Sequence, residues 1–211
     1  MKLSPKRHAT VDYETRSYLP IKVGAWKYSR HGSTEIMCFS WKYSDSHKVH
    51  TWHPAYDHLD IEEEGAIELA KLLKLVEDDA VIMEAHNAFF EQCIWLNVAV
   101  KRLGWPEAPV RMWRCSAAKA SSHGLPRKLE HACKVMQTKH QKDEVGGKAS
   151  KKLWSPKKDG SWHETVEEFK VLWEYNRMDV LAEEDLSSQL EDLPPHEQEL
   201  WFMDQEINFR R

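Results

Sequence analysis

Residues 9–17 read ATVDYETRS and place two acidic residues directly after a short apolar run. The run Ala9-Thr10-Val11 favours a β-strand that continues into Asp12 and Glu14. Because side chains alternate along a strand, these two carboxylates are expected on one face, about 7 Å apart, with Tyr13 on the other. Two acids placed in this way can converge on a cation, provided that other parts of the chain supply further oxygen ligands.

Composition predicts one globular domain, or a domain with a small appendage. The chain has 211 residues, of which 41% are hydrophobic and 30% charged, enough for a sizeable core. Its four cysteines lie far apart without a C-x-x-C pair, which argues against a disulfide framework and a thiolate zinc site. No signal-like or bilayer-length apolar run occurs, so the sequence predicts a soluble, cytoplasmic protein.

Charge is distributed unevenly along the chain, although the formal net charge is only -4. Residues 127–158 contain ten Lys and Arg against three Asp and Glu, whereas residues 161–211 contain four against fourteen. A basic segment of this kind can bind a phosphate backbone. We therefore predict that it binds substrate through Lys148, Lys151 and Lys152, and the alternative left open is a solvated loop.

Hydrophobic periodicity predicts an α/β protein with a mixed central sheet flanked by helices. After the first strand, further strands are predicted at residues 35–43, 48–52, 80–83 and 110–113. Helices are predicted at residues 61–77, 88–103, 115–122, 127–136, 164–190 and 196–209, with one long irregular segment at 137–161. The polar turn at residues 44–47 separates the second and third strands, and the first three strands are predicted to form an antiparallel meander.

Two later stretches offer partners for the first acid pair. Asn87 and Glu91 are spaced four apart at the start of a predicted helix, and Tyr175 and Asp179 are spaced four apart inside the long helix. Residues at this spacing share a helical face. Four acids and a tyrosine, without an evident nucleophile, suit phosphoryl transfer assisted by two hard divalent cations.

The three pairs, in this order, resemble the motifs of the DEDD-type 3'-5' exonucleases, tyrosine subclass. More closely, the chain resembles the proofreading domain of phage-type DNA polymerases of family A. The supporting segments cover nearly the whole chain and are VDYETRS (11–17), VGAWKY (23–28), CSAAK (115–119), GLPRKL (124–129), KKLWSP (151–156) and LPPHEQELW (193–201).

The resemblance implies an RNase H-like fold and removal of mononucleotides from a DNA 3' end with two Mg²⁺ or Mn²⁺ ions. It implies that Asp12 bridges both metals, that Glu14 and Asp179 ligate the first metal, and that Glu14 and Tyr175 orient the attacking water. It also implies that Thr15 and Asn87 line the pocket for the terminal nucleotide, and that Glu91 holds the second metal through its hydration shell.

Glu91 departs from the family pattern, which has aspartate there, so its role is expected to be kept with altered geometry. The resemblance further implies a DNA substrate with a single-stranded or frayed 3' end and a phage-infected or prophage-bearing bacterial host. It divides the chain into an exonuclease domain at residues 1–193 and, at 194–211, the start of a linker helix toward a polymerase domain in the same or a partner chain.

Two other functions remain open at the level of sequence. One is a stand-alone exonuclease that trims RNA or short oligonucleotides, and the other is a docking domain that keeps the acids without catalysis. The ten tryptophans are predicted mainly as core and loop anchors. Trp105, Trp113 and Trp154 fall near the expected substrate side, and their role is left open.

Overall fold

The computed structural model describes residues 6–56, 63–141 and 151–209. A five-stranded sheet forms its centre, in the order β3-β2-β1-β4-β5. Strand β2 pairs antiparallel with both β1 and β3. On the other side of β1, β4 pairs parallel with β1, and β5 pairs parallel with β4. The strands span β1 Arg7–Arg16, β2 Glu35–Tyr43, β3 Val49–Trp52, β4 Val81–Ala85 and β5 Trp113–Cys115.

Helices cover the sheet and follow the predicted order closely. They span α1 Ala25–Arg30, α2 Glu63–Glu77, α3 Ala88–Ile94, α4 Lys101–Leu103, α5 Ser116–Ser122, α6 Leu129–Met136, α7 Val166–Ser188 and α8 Pro195–Phe209. A π-helical segment, Trp95–Val100, joins α3 to α4. None of the described helices combines the length and the apolar character needed to cross a bilayer.

Strand β1 separates the apolar and acidic sides of the sheet as predicted. Tyr13 is buried in the main core, where its ring centroid lies 4.5 Å from that of Phe39. Asp12 and Glu14 pair in register with Ser40 and Cys38 of β2. A bulge follows Glu14, and bulges re-aim the side chains next to them. The acidic pair therefore faces away from the main core.

Helix α7 brings the second half of the acidic set to this face. The helix begins with a capping box, in which Thr165 accepts a hydrogen bond from the backbone N–H of Glu168 and the Glu168 carboxylate accepts one from that of Thr165. This cap fixes the start of the helix. Phe169 and Leu172 then pack with Met37 of β2, so the helix lies across the sheet beside β1.

Three local differences from the sequence prediction have clear causes. Residues 110–113 were expected as a strand, but Val110–Met112 form a 3₁₀ turn, closed by a 2.8 Å hydrogen bond from Met112 N–H to Pro109 O, and the strand starts at Trp113. Helix α1 was not predicted because it has only six residues. The helix expected over 88–103 contains the π-helical segment.

Helix α8 packs back onto the domain. Its Phe202 is buried, and Glu199 forms a bidentate ion pair with Arg111 at 2.8 Å. The ring of Phe209 contacts those of Trp26 and Phe89. Three large apolar side chains of the same helix remain about half exposed, namely Leu200, Met203 and Ile207.

Gly65 of α2 is expected to be intolerant of any side chain. A Cβ at this position would lie 2.4 Å from the backbone oxygen of Thr51 in β3, so helix and strand would have to separate. We expect Gly65→Ala to lower the free energy of unfolding by about 1–3 kcal/mol, measured by chemical denaturation. Gly32→Ala is the control, because a Cβ there meets nothing within 4 Å. Equal stability of the two variants would contradict this packing.

Candidate active site

Three of the predicted acids meet at one point. Oxygen atoms from the carboxylates of Asp12, Glu14 and Asp179 all lie within 4.8 Å of one another. Two of these residues come from β1 and the third from α7, 165 residues after Glu14 in the chain. Glu14 and Asp179 are buried, and Asp12 is half-buried. The arrangement is a compact set of hard oxygen donors that could hold a metal ion.

Asp12 is held by a buried amide from α7. The side-chain N–H of Asn176 donates to Asp12 Oδ2 at 2.5 Å, and Asn176 has no solvent exposure. A hydrogen bond to an ionised carboxylate is short and strong. Asn176 lies between Tyr175 and Asp179, so the same helical turn supplies both a partner for Asp12 and a neighbouring carboxylate.

Glu14 is held by an indole. Trp154 Nε1–H donates to Glu14 Oε2 at 2.6 Å. Trp154 ends a short 3₁₀ helix, Lys151–Trp154. The neighbouring Leu153 is buried in the cluster formed by Met37, Cys38, Phe169 and Leu172, which anchors this helix beside the acids.

Glu91 lies next to the three acids without being one of them. It is 4% exposed, and its carboxylate accepts a hydrogen bond from the backbone N–H of Tyr13. Burial raises the pKa of Glu91 well above its ordinary value, and the negative charges of Asp12 and Glu14 raise the pKa further. Within the described part of the chain, Glu91 Oε2 is buried and has no hydrogen-bond partner.

These residues fit divalent cations such as Mg²⁺ or Mn²⁺. All the donors are carboxylate oxygens, which such hard ions prefer. The buried Oε2 of Glu91 is a polar atom whose desolvation a cation would offset. Tyr175 is also buried and lies one helical turn before Asp179 in α7.

A cavity of about 400 Å³ opens beside Glu14. Thr15 lines it, and Thr15 Oγ1 lies 3.0 Å from the hydroxyl of Tyr28, which also lines the cavity. Burial raises the pKa of Tyr28 to about 12, so the phenol stays protonated. The remaining walls are mostly apolar and aromatic, including Leu19, Ile21, Phe90, Trp154 and Pro156.

Asn87, unlike Thr15, is not among the residues that line this cavity. Its backbone adopts the left-handed conformation (φ 68°) at the N-cap of α3, a conformation that asparagine tolerates. Its side chain is exposed and lines a separate groove of about 570 Å³ between α5 and α8. The expectation that Asn87 and Glu91 share one helical face is therefore wrong, because Asn87 precedes the helix.

The three predicted phosphate-binding lysines are described only in part. Lys148 and the side chain of Lys151 lie outside the described residues. Lys152 is exposed and forms a 2.7 Å ion pair with Glu168. Arg127, at the start of the basic segment, lines the groove that contains Asn87.

Sequence reasoning missed the roles of Trp154 and Asn176. Asn176 lies inside a recognised motif, and its position one turn before Asp179 was a usable signal. The contact of Trp154 with Glu14 spans 140 residues and follows no local pattern. The other two tryptophans whose role was left open, Trp105 and Trp113, are buried in the core. They are packing residues.

The amino-acid sequence is similar to that of a phage protein. No protein-family model matches it. It is 29% identical over 218 residues to a DNA polymerase of Bacillus phage SP02, an alignment that covers 95% of this chain and 31% of the relative. The chain thus spans about a third of the length of this curated relative.

Among solved structures, the fold is similar to one described as the apo form of a nuclease. The TM-score is 0.54 at 13% sequence identity, and the match covers 94% of this chain and 80% of that chain. Identity at this level shows the fold alone. Together with the sheet order and the flanking helices, it confirms the predicted mixed α/β, RNase H-like fold class.

Proposed function

We propose that this chain is a metal-dependent 3'-5' exonuclease domain that hydrolyses phosphodiester bonds at DNA 3' ends and proofreads for a DNA polymerase. The observation that carries the proposal is the set of three carboxylates on β1 and α7, one of which, Glu14, also lines a cavity of about 400 Å³. The similarity to a phage DNA polymerase and the nuclease-like fold support it. The phage relative also supports a bacterial host as the setting.

The four acids divide the binding of two cations between them in this proposal. Asp12 would bind both cations. Glu14 and Asp179 would bind the first cation, and Glu91 would bind the second. Bound divalent cations supply charge stabilisation and activation of water in phosphoryl transfer. Glu14 and the hydroxyl of Tyr175 orient the attacking water.

The cavity supports attack at a chain end. Its volume of about 400 Å³ falls within the range typical of small-molecule sites. Phe90 and Tyr28 present aromatic surface on which a base can stack, while Thr15 offers a hydroxyl close to Glu14. The 3'-terminal nucleotide can occupy the cavity while the phosphate that links it to the preceding nucleotide lies at the carboxylates.

Two end-labelled oligonucleotides test the proposal directly. With Mg²⁺ or Mn²⁺, a 3'-labelled single strand should release labelled mononucleotide first, and a 5'-labelled strand should shorten one nucleotide at a time. Chelation of the metal should stop both reactions. A purely endonucleolytic pattern, or digestion from the 5' end, would contradict the proposal.

The two alternative functions give different outcomes in the same assay. Faster digestion of RNA than of DNA of matching sequence would identify a trimming ribonuclease. Absence of hydrolysis with both Mg²⁺ and Mn²⁺ would favour a docking domain. The buried Glu91 and its neighbouring carboxylates argue against that last alternative, since such a cluster is costly without a counter-charge.

The basic segment is expected to bind the phosphate backbone without sequence preference. Replacing Lys148, Lys151 and Lys152 by Ala should weaken binding of single-stranded DNA equally for all sequences. If each lysine neutralises one phosphate, the slope of log K against log salt should fall by roughly 2. Fluorescence anisotropy at several salt concentrations measures both effects.

A triple variant elsewhere provides the matched control. Lys48, Lys71 and Lys74 are exposed and paired with acids near α2, so replacing them by Ala changes the net charge equally. Equal salt slopes for the two triple variants would show that only total charge matters.

We also propose that residues 1–193 form the exonuclease domain and that residues 194–211 begin a linker helix toward a polymerase domain. The half-exposed apolar residues of α8 support this, since such a face is suited to cover by further protein. The native reading frame tests it. A frame that continues into a polymerase supports the division, whereas a frame that stops at Arg211, with no associated polymerase, contradicts it.

A further inference from the structure

Trp154 combines two contacts that the acid motifs do not explain. Its indole N–H donates to Glu14 Oε2 at 2.6 Å, and its ring lines the cavity of about 400 Å³ next to Glu14 and Thr15. Thus one side chain touches both a carboxylate of the site and the space that would receive substrate.

The segment that carries Trp154 is fixed against the fold. Leu153 is 1% exposed among Phe169 and Leu172 of α7 and Met37 of β2. The backbone oxygen of Trp154 accepts a 3.5 Å hydrogen bond from the N–H of Ser17, just beyond the end of β1. The indole therefore approaches Glu14 from a supported backbone.

Glu14 benefits from such a partner because glutamate has a flexible side chain. A free carboxylate of this length samples several rotamers, and ordering it upon metal binding costs conformational entropy. A donor that selects one orientation beforehand reduces that cost, which is the general advantage of a preorganised site. Asn176 gives Asp12 corresponding support from α7.

We propose that Trp154 is a positioning residue that holds Glu14 in the orientation in which this carboxylate binds metal, while its ring forms a wall of the substrate cavity. The inference rests on the proposed function and adds a residue outside the acid and tyrosine motifs. It links the segment at 151–156 to the metal site, so that filling of the cavity and orientation of Glu14 depend on the same side chain.

Trp154→Phe separates the hydrogen bond from the ring. Phe keeps an aromatic wall but has no N–H, so we expect Mn²⁺ to bind about tenfold more weakly and kcat to fall about tenfold, with KM for DNA changed less than about twofold. Mn²⁺ binding is measured directly by electron paramagnetic resonance of the free ion. This readout does not depend on catalysis.

Two further variants distinguish loss of the hydrogen bond from a general disturbance of the fold. Trp162→Phe is the matched control, because Trp162 belongs to the same region of the chain but packs on Tyr18 and Arg16; it should bind Mn²⁺ like the parent. Incorporation of 3-benzothienylalanine at position 154 preserves the bicyclic shape of the indole and replaces the N–H with a sulfur atom that cannot donate, and it should reproduce the effect of Trp154→Phe.

The outcomes distinguish this inference from the function itself. Normal Mn²⁺ affinity and kcat in both position-154 variants would overturn the positioning role, as would a rise in KM alone. If the parent protein binds Mn²⁺ but hydrolyses no DNA, the proposed function fails, while the Mn²⁺ affinities still decide the role of Trp154.

Discussion

Asp12→Ala and Asp179→Ala are each expected to lower the rate of nucleotide release at least 1,000-fold, a loss of about 4 kcal/mol in transition-state stabilisation. The oxygens of Asp12, Asp179 and Glu14 lie within 4.8 Å of one another. Water cannot replace a carboxylate in such a set without displacing the cation that it holds. Single-turnover digestion of a labelled single strand at saturating Mn²⁺ measures the loss.

A control variant on the same helix distinguishes loss of a site carboxylate from a general effect of removing negative charge. Glu174 lies on α7 and its side chain is 70% exposed, so Glu174→Ala should keep parental activity. Asp12→Asn serves as a second variant that preserves side-chain shape in case Asp12→Ala perturbs the packing of Asn176. Near-parental digestion by a folded Asp12 or Asp179 variant would disprove the site assignment.

The central part of the site was predictable because its spacing rules are local. Alternation along β1 places Asp12 and Glu14 on one face and Tyr13 in the core. The capped helix α7 brings Asp179 to the same face. A few consecutive residues determine the direction of each side chain within its own element, whereas the packing of α7 beside β1 was expected from the family resemblance and not from a local pattern.

The remaining features depend on contacts that local patterns do not contain. Trp154 reaches Glu14 only because Leu153 is buried against α7 and β2. Asn87 was placed on a helical face, yet its left-handed backbone puts it before the helix, and its side chain lines another groove. Helix α3 starts at Ala88 as predicted, but the sequence does not reveal the positive φ of the residue before it, and this backbone angle determines where the Asn87 side chain points.

Glu91 is the one acid that departs from the motifs that the sequence otherwise resembles, and its environment predicts a dependence on side-chain length. The carboxylate is buried, accepts a hydrogen bond from the backbone N–H of Tyr13, and lies close enough to Asp12 and Glu14 for their charges to raise its pKa. Two ring contacts hold α3 in place, between Phe90 and Tyr28 and between Phe89 and Phe209. We therefore expect that the helix is fixed and that the longer side chain of Glu91 compensates for its position.

Glu91→Gln, which keeps the length and removes the charge, should lower the single-turnover rate on the order of 100-fold, or about 2.7 kcal/mol. Glu91→Asp keeps the charge but withdraws the carboxylate by about 1.5 Å, far more than the roughly 0.5 Å tolerance of a catalytic group. We expect it to lose more than tenfold in rate, on the order of 1.4 kcal/mol, and to need more Mn²⁺ for half-maximal activity.

The control for shortening an acid is Glu77→Asp, at an exposed position at the end of α2, which should match the parent. A Mn²⁺ titration of single-turnover digestion compares all four proteins. If Glu91 acts only through ordered water, either side-chain length serves, and Glu91→Asp will digest DNA as fast as the parent at low Mn²⁺. That result would rule out compensation by the longer side chain, yet a slow Glu91→Gln would still require a charge at this position. Equal rates for the parent and both Glu91 variants would remove Glu91 from the site.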